Sequence, residues 1–325
     1  MSWSTDERRA RAFLQHAAEP TNPILARYVT DVGPVDAAHH VAERTAPTDV
    51  LTKTRHDVDW TRADATLRTA AELGARFVIP EDDEWPADVV GGLSTLSADD
   101  ADLGGLPLGL WIQGKPRLDE LASARSVAIV GARAATQYGE HHATEFGYTL
   151  ASRDVTVWSG AAYGIDGAAH RGALATDRRA CTVAVLACGL DCGYPAGHVG
   201  LLQRIASSGA VVSEYPPGTP PARHRFLLRH RLLAALTRAT VVVEAGQCSG
   251  ALHAAGLADK LGRPVLALPG PLSSAASAGC HRLIQDGTAR LVTSADDVIA
   301  VIEQSEEEVD PEPEAATPVD ETDRR

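Results

Sequence analysis

Residues 126–170 read SVAIVGARAATQYGEHHATEFGYTLASRDVTVWSGAAYGIDGAAH, and this stretch decides the fold. It opens on an apolar run, 126–130, that is apolar at both alternate positions, as a strand is when helices cover both faces of its sheet. A glycine turn from Gly131 leads to a helix expected over 138–153, then a strand over 155–159. A second glycine turn at Gly160 and a helix over 165–175 complete the repeat. Strand, turn and helix in alternation is the pattern of a parallel sheet wound on both sides. Working outward, further strands are expected at 181–187, 210–213, 240–244, 264–268 and 290–292. The fold class is therefore α/β, an extended Rossmann-like doubly wound, mostly parallel sheet over residues 76–302.

The flanks differ from this centre. Residues 1–75 read as short amphipathic helices broken by turns, a small helical module. Within it, Val32-Gly33-Pro34-Val35 fits either a helix-hairpin-helix turn or a plain helix–helix turn. Residues 303–325 combine acids and prolines with almost no large apolar side chain, the composition of a disordered tail. The N-terminus carries charges where a signal peptide needs an apolar run, and no stretch is apolar enough to span a bilayer, so a cytoplasmic protein with no membrane partner is expected. Five cysteines, an odd number scattered over 325 residues, argue against a disulfide framework. Cys188 and Cys192 lack a second pair at zinc-site spacing, and no metal site is expected.

The formal net charge is −13, but it is unevenly spread. Ten acids against two arginines lie from Glu303 onward, whereas residues 200–240 carry six arginines and only one acid, Glu214. A local basic stripe is what a polyanion requires, so the overall sign does not exclude nucleic acid.

Three glycine-rich turns follow strands and open helices, where free amides and the helix dipole favour an anion. They are Gly131–Gly139 with Arg133, the Ser159-Gly160 turn, and the turn through Ser249-Gly250. The carboxyl ends of parallel strands share a crevice, so the three are expected to form one elongated groove. None is the dinucleotide fingerprint GxGxxG or the phosphate-loop sequence GxxxxGK[ST], and no cofactor is expected. A fourth segment, PPGTPPARHRFLLRHR over 216–231, sets Arg225, Arg229 and Arg223 near one helical face beside the ring of Phe226. Charge next to an aromatic face suits a single strand whose bases stack while its phosphates pair.

The ordered motifs AIVGAR, SGAAYGIDGAAHRGAL, AVLACGLDCGYP, VVSEYPPGTPP, RFLLRHRLLAAL, VVVEAGQCSGAL and ALPGPL resemble the DprA/Smf family of DNA-processing proteins. The resemblance implies a non-enzymatic single-stranded DNA-binding protein that is a homodimer and loads RecA recombinase during natural transformation. It also implies phosphate contacts near Gly131, Arg133, Ser159, Gly160, Ser249 and Gly250, a basic pocket lined by Arg229 and Arg231, and a base against Phe226. The sequence departs from the family pattern at Ala132, Tyr163, His230, Ala251 and His281. Many members carry a C-terminal winged-helix-like module; here an acidic tail is expected in its place.

Two other readings come from the residues. A nucleotide phosphoribohydrolase would use Glu244 or Asp166 as acid/base, yet Pro269-Gly270-Pro271 stands where such enzymes carry a longer glycine loop. A sensor would hold a free nucleotide in the same pocket without turning it over. Asp166 and His170, four apart, are expected to serve the structure. His39-His40 and His141-His142 are expected to lack a carboxylate at ligand spacing.

Overall fold

The computed structural model describes residues 3–96, 105–123 and 125–309. Nine strands form one sheet: β1 Ala75–Val78, β2 Leu110–Gly114, β3 Ser126–Val130, β4 Thr156–Ser159, β5 Thr182–Leu186, β6 Ala210–Ser213, β7 Ala239–Val242, β8 Val265–Ala267 and β9 Arg290–Leu291. Their order is β1-β2-β6-β5-β4-β3-β7-β8-β9. From β6 to β9 every pairing is parallel, while β1–β2 and β2–β6 are antiparallel. The expected mostly parallel, doubly wound sheet is therefore present, with an antiparallel extension at one edge.

The alternation of β3 shows why its run is wholly apolar. Ala128 and Val130 face a core completed by Leu232–Leu236 and Ala251–Ala258, whereas Val127 and Ile129 face another built on Phe146 and Leu150. Successive side chains of a strand point to opposite faces, and here each face meets helices. The order steps outward in both directions from β3 and β7, so their following loops diverge to opposite faces and leave a crevice between them.

The N-terminal residues form helices Trp3–Ala17, Pro23–Val32, Pro34–Ala42, Thr48–Thr52 and Trp60–Glu72. Gly33, at φ 86°, makes the turn between the second and third. Their core, with Phe13, Leu14 and Leu25, also takes in Phe77 and Trp111 from β1 and β2. Gln15 locks the junction: its amide donates to the Gly109 carbonyl at 2.8 Å, and its carbonyl accepts from the Trp111 indole at 2.8 Å. The module is thus fastened to the sheet edge through apolar contact and buried hydrogen bonds.

One boundary needs correction. The last helix, Ala295–Val309, runs past Glu303 into the stretch expected to be disordered, because Val298, Val301 and Ile302 bury its inner face against the sheet. Residues 310–325 of the expected tail lie outside the described residues.

Candidate nucleic-acid interface

Glu244, buried just beyond the end of β7, organises the first glycine turn. Its backbone carbonyl accepts from Ala132 N at 2.8 Å, and its carboxylate accepts from Thr136 N at 2.9 Å and Thr136 Oγ1 at 2.5 Å. Thr136 in turn caps the helix Gln137–Ser152 through Gly139 N. A side chain at Gly139 would overlap the Glu244 carboxylate, so this approach admits only glycine. Both carboxylate oxygens are thereby engaged in holding a turn that presents Arg133 to solvent.

The second turn faces inward. Ser159 is buried and donates to the Ile129 carbonyl at 2.6 Å, while the Gly160 carbonyl accepts from the Arg229 guanidinium. Any Cβ at Gly160 would collide with that guanidinium. Arg229 also donates to the Val185 carbonyl at 3.1 Å and lies 3.6 Å from the Asp166 carboxylate. Burial pushes the Asp166 carboxyl upward, against the opposing pull of Arg229 and the Ala162 amide. Ser159 and Gly160, expected near phosphate, are both buried, and neither lines the cavity that holds Gly131 and Arg133. His170 points into the core toward the Thr182 hydroxyl at 2.7 Å, and burial pushes its pKa down to about 3. The structural duty expected of Asp166 and His170 agrees with these contacts.

The arginine-rich segment divides. Arg231 is fully buried, paired with the Glu214 carboxylate and 3.3 Å from the Gly105 carbonyl. Arg225 is held by Glu19 at 2.6 Å and packs over the Tyr215 ring at 4.9 Å. Neither lines the groove beside Phe226, contrary to expectation, because each guanidinium finds a carboxylate and a backbone carbonyl on the inner side. The chain tightens into two short helices, Arg225–Leu228 and His230–Leu236, whose junction turns Arg229 inward as well.

What remains outward is a stack. The Arg133 guanidinium lies 4.5 Å from the Phe226 ring centroid, Arg229 reaches the same ring at 5.3 Å, and Tyr194 meets it at 5.4 Å. The ring is half-buried, fixed by cations and a neighbouring aromatic. It lies in the wall of a cavity of about 560 Å³ that brings together Gly131, Arg133, Phe226, Arg229, Ser249 and Gly250. Ser249 caps the helix Gly250–Lys260, whose amino end opens into this space. Among the described residues, Arg133, Arg223 and Arg229 line it against a single acid, the buried Asp166. Such a space offers cations and aromatic faces together, the pair of features that unpaired polynucleotide uses.

Tyr194 and Arg223 complete the wall. Tyr194 sits in the loop after β5, and the rule that pointed to the other strand ends also covers that loop. His230 also lines the cavity, and burial, reinforced by Arg229, drives its pKa well down, so the ring is neutral near pH 7. Tyr163 lies elsewhere, its ring against His198 at 4.8 Å. The histidine expectation is overturned at one place: ligand atoms of His141, His142 and Glu145 lie within 4.8 Å of one another on an exposed helix face. No helix among the described residues is long and apolar enough to cross a membrane.

Comparison with known proteins agrees with this architecture. The family model for DNA recombination-mediator protein A matches residues 76–303. A putative DNA processing protein DprA of Mycobacterium tuberculosis is 51% identical over 296 residues, covering 90% of this chain and 75% of that protein. The X-ray structure of DprA from Streptococcus pneumoniae superposes with a TM-score of 0.70 at 30% identity, over 88% of this chain and 95% of that one. DNA processing protein A of Helicobacter pylori, whose structure was described for its unique single-stranded DNA binding mode, gives a TM-score of 0.59 at 27% identity over 70% and 96% of the two chains. With the matched model spanning the parallel strands and a half-identical relative covering 90% of the chain, this chain belongs to the DNA recombination-mediator protein A family, that of DprA and Smf.

Proposed function

We propose that this protein binds single-stranded DNA in the cavity at the β3–β7 crevice and acts as a recombination mediator. It holds the strand without turning it over, delivers it to RecA recombinase and works as a cytoplasmic homodimer. The observation that carries the reading is the Arg133–Phe226–Tyr194 stack, a sequence-tolerant base platform with a phosphate partner on its rim. Family membership supports the recombination setting, and the single-stranded DNA binding of the Helicobacter pylori relative supports the ligand. A non-enzymatic role is supported by both candidate carboxylates already being engaged, Glu244 with Thr136 and Asp166 with Arg229.

The test is a titration of fluorescent oligothymidylate, with duplex and free nucleotides as competitors, at several salt concentrations. Log affinity is expected to fall with log salt by about 0.7 per phosphate neutralised, and Arg133→Glu is expected to abolish binding at moderate salt. A flat salt response with saturable uptake of a mononucleotide would replace this reading with that of a nucleotide sensor.

A further inference from the structure

Two more cavities lie between the helical module and the sheet. One, of about 840 Å³, is lined by Lys53, Arg55, His224 and the 17–24 loop. The other, of about 420 Å³, is lined by Arg55, Arg62, Arg225 and the proline loop 216–220. They are contiguous through Ala18, Glu19, Pro20 and Arg55, and the larger meets the β3–β7 cavity at His224. His224 thus stands between the base platform and the cavities beside the helical module.

The charge of the cavities is opposite to that of the molecule. In a chain of net −13, the described residues in the walls of these two cavities include Lys53, Arg55, Arg62 and Arg225 against one acid, Glu19. That carboxylate is shared, at 2.6 Å from Arg225, 3.5 Å from Arg55 and 3.9 Å from His224, so it offsets only part of the cationic field. A second sign comes from His16 in the same wall: its pKa is pushed down to about 4 by burial, with Arg62 and Arg55 adding to the depression. The Tyr215 ring belongs to the wall of the smaller cavity, and its buried hydroxyl has no hydrogen-bond partner among the described residues. Lys53, Arg55 and Arg62 are exposed, so their charges are open to a ligand.

We propose that the cleft between the helical module and the sheet is a second subsite for the same DNA strand, with Lys53, Arg55 and Arg62 taking the phosphates that follow those held at Arg133. This rests on the single-stranded DNA reading above and deepens it: the helical module is part of the binding track, and the footprint exceeds the β3–β7 cavity. The cations are spread over neighbouring cavities that share lining residues, an arrangement that suits a polyanion with regularly spaced charges better than one compact anion.

The experiment compares oligothymidylates of about 6 and about 20 nucleotides, one inside and one beyond the roughly 4–16 nucleotides of common single-strand sites. The full chain is expected to bind the longer one more tightly and with a steeper salt slope. Arg55→Ala/Arg62→Ala is expected to lose about tenfold in affinity for the long oligonucleotide and to reduce its slope by about 1.4, while leaving the short one unchanged. Lys53→Glu, made separately on an exposed site, is expected to act in the same direction. If the unaltered chain gains nothing from length, or the variants keep the full gain, the second subsite is overturned while the first stands. If the unaltered chain binds neither oligonucleotide, the single-stranded DNA reading itself fails.

Discussion

The turn after β3 carries one arginine and the 223–231 segment carries four, yet both place a single well-exposed guanidinium at the cavity. Arg133 and Arg223 are exposed, whereas the side chains of Arg225, Arg229 and Arg231 are only 10%, 5% and 0% exposed. The two regions thus use the same side chain for different ends. In the turn, Glu244 fixes the backbone and leaves the arginine outward. In the segment, three guanidinium groups are turned toward carboxylates and carbonyls, where they set the shape of the site more than its potential. Cation density along a sequence counts charges; the surrounding acceptors decide which of them a ligand meets.

The largest effect that can break this comparison is on stability. Arg231→Met leaves Glu214 buried without its partner, and a loss of about 3–5 kcal/mol is expected in urea denaturation. The double variant Arg231→Met/Glu214→Leu is expected to recover most of it, because removing both charges avoids stranding either. A loss under about 1 kcal/mol in the single variant would place Arg231 among ordinary surface groups and erase the distinction.

Next in size is the effect on binding. Phe226→Ala removes the ring held by Arg133, Arg229 and Tyr194, and oligothymidylate affinity is expected to drop by about 1–3 kcal/mol. The salt slope should stay nearly constant, since no charge is removed; in Arg133→Ala it should shrink by about 0.7. Equal slopes in the two variants would show that Arg133 contributes no phosphate contact and would remove the outward half of the contrast.

Much of this was legible beforehand and some was not, for physical reasons. The parallel strands were readable because runs such as Val127–Val130 are apolar at every position, which only a sheet covered on both faces demands. The direction of β1 and β2 was hidden, because periodicity reports burial and not pairing sense. At the cavity, Arg133, Phe226, Ser249 and Gly250, expected from residue type and position, do line one space. Arg225 and Arg231 do not line the cavity beside Phe226, because their orientation depends on Glu19 and Glu214, one of them some two hundred residues away in sequence. Ser159 looked like a phosphate donor, yet its hydroxyl is engaged by the Ile129 carbonyl, a contact made only when β3 and β4 pair.

A pH-dependent effect sharpens the same contrast at the second glycine turn, where His170 faces inward as the buried arginines do. Its folded-state pKa is about 3, depressed first by burial and then by the nearby His198, Arg229 and Arg171 charges. Below the ordinary histidine value of about 6.5, the unfolded chain takes up a proton that the native ring refuses. Stability from this group is therefore complete above about pH 6.5 and declines as pH falls toward 3, by about 1.4 kcal/mol per pH unit. His16 and His230, also depressed, act with the same sign, whereas the raised Asp166 and Glu214 carboxyls act with the opposite sign as they protonate in the native state. The wild-type curve alone consequently mixes both contributions, but the difference between wild type and His170→Gln isolates one. Urea denaturation at pH 7, 6, 5 and 4 is expected to show the gap between the two proteins changing with pH in favour of the variant under acid conditions. A gap that stays constant with pH would mean that the ring titrates as freely as an exposed one, and that the turn carrying Asp166 is as open to solvent as the one carrying Arg133.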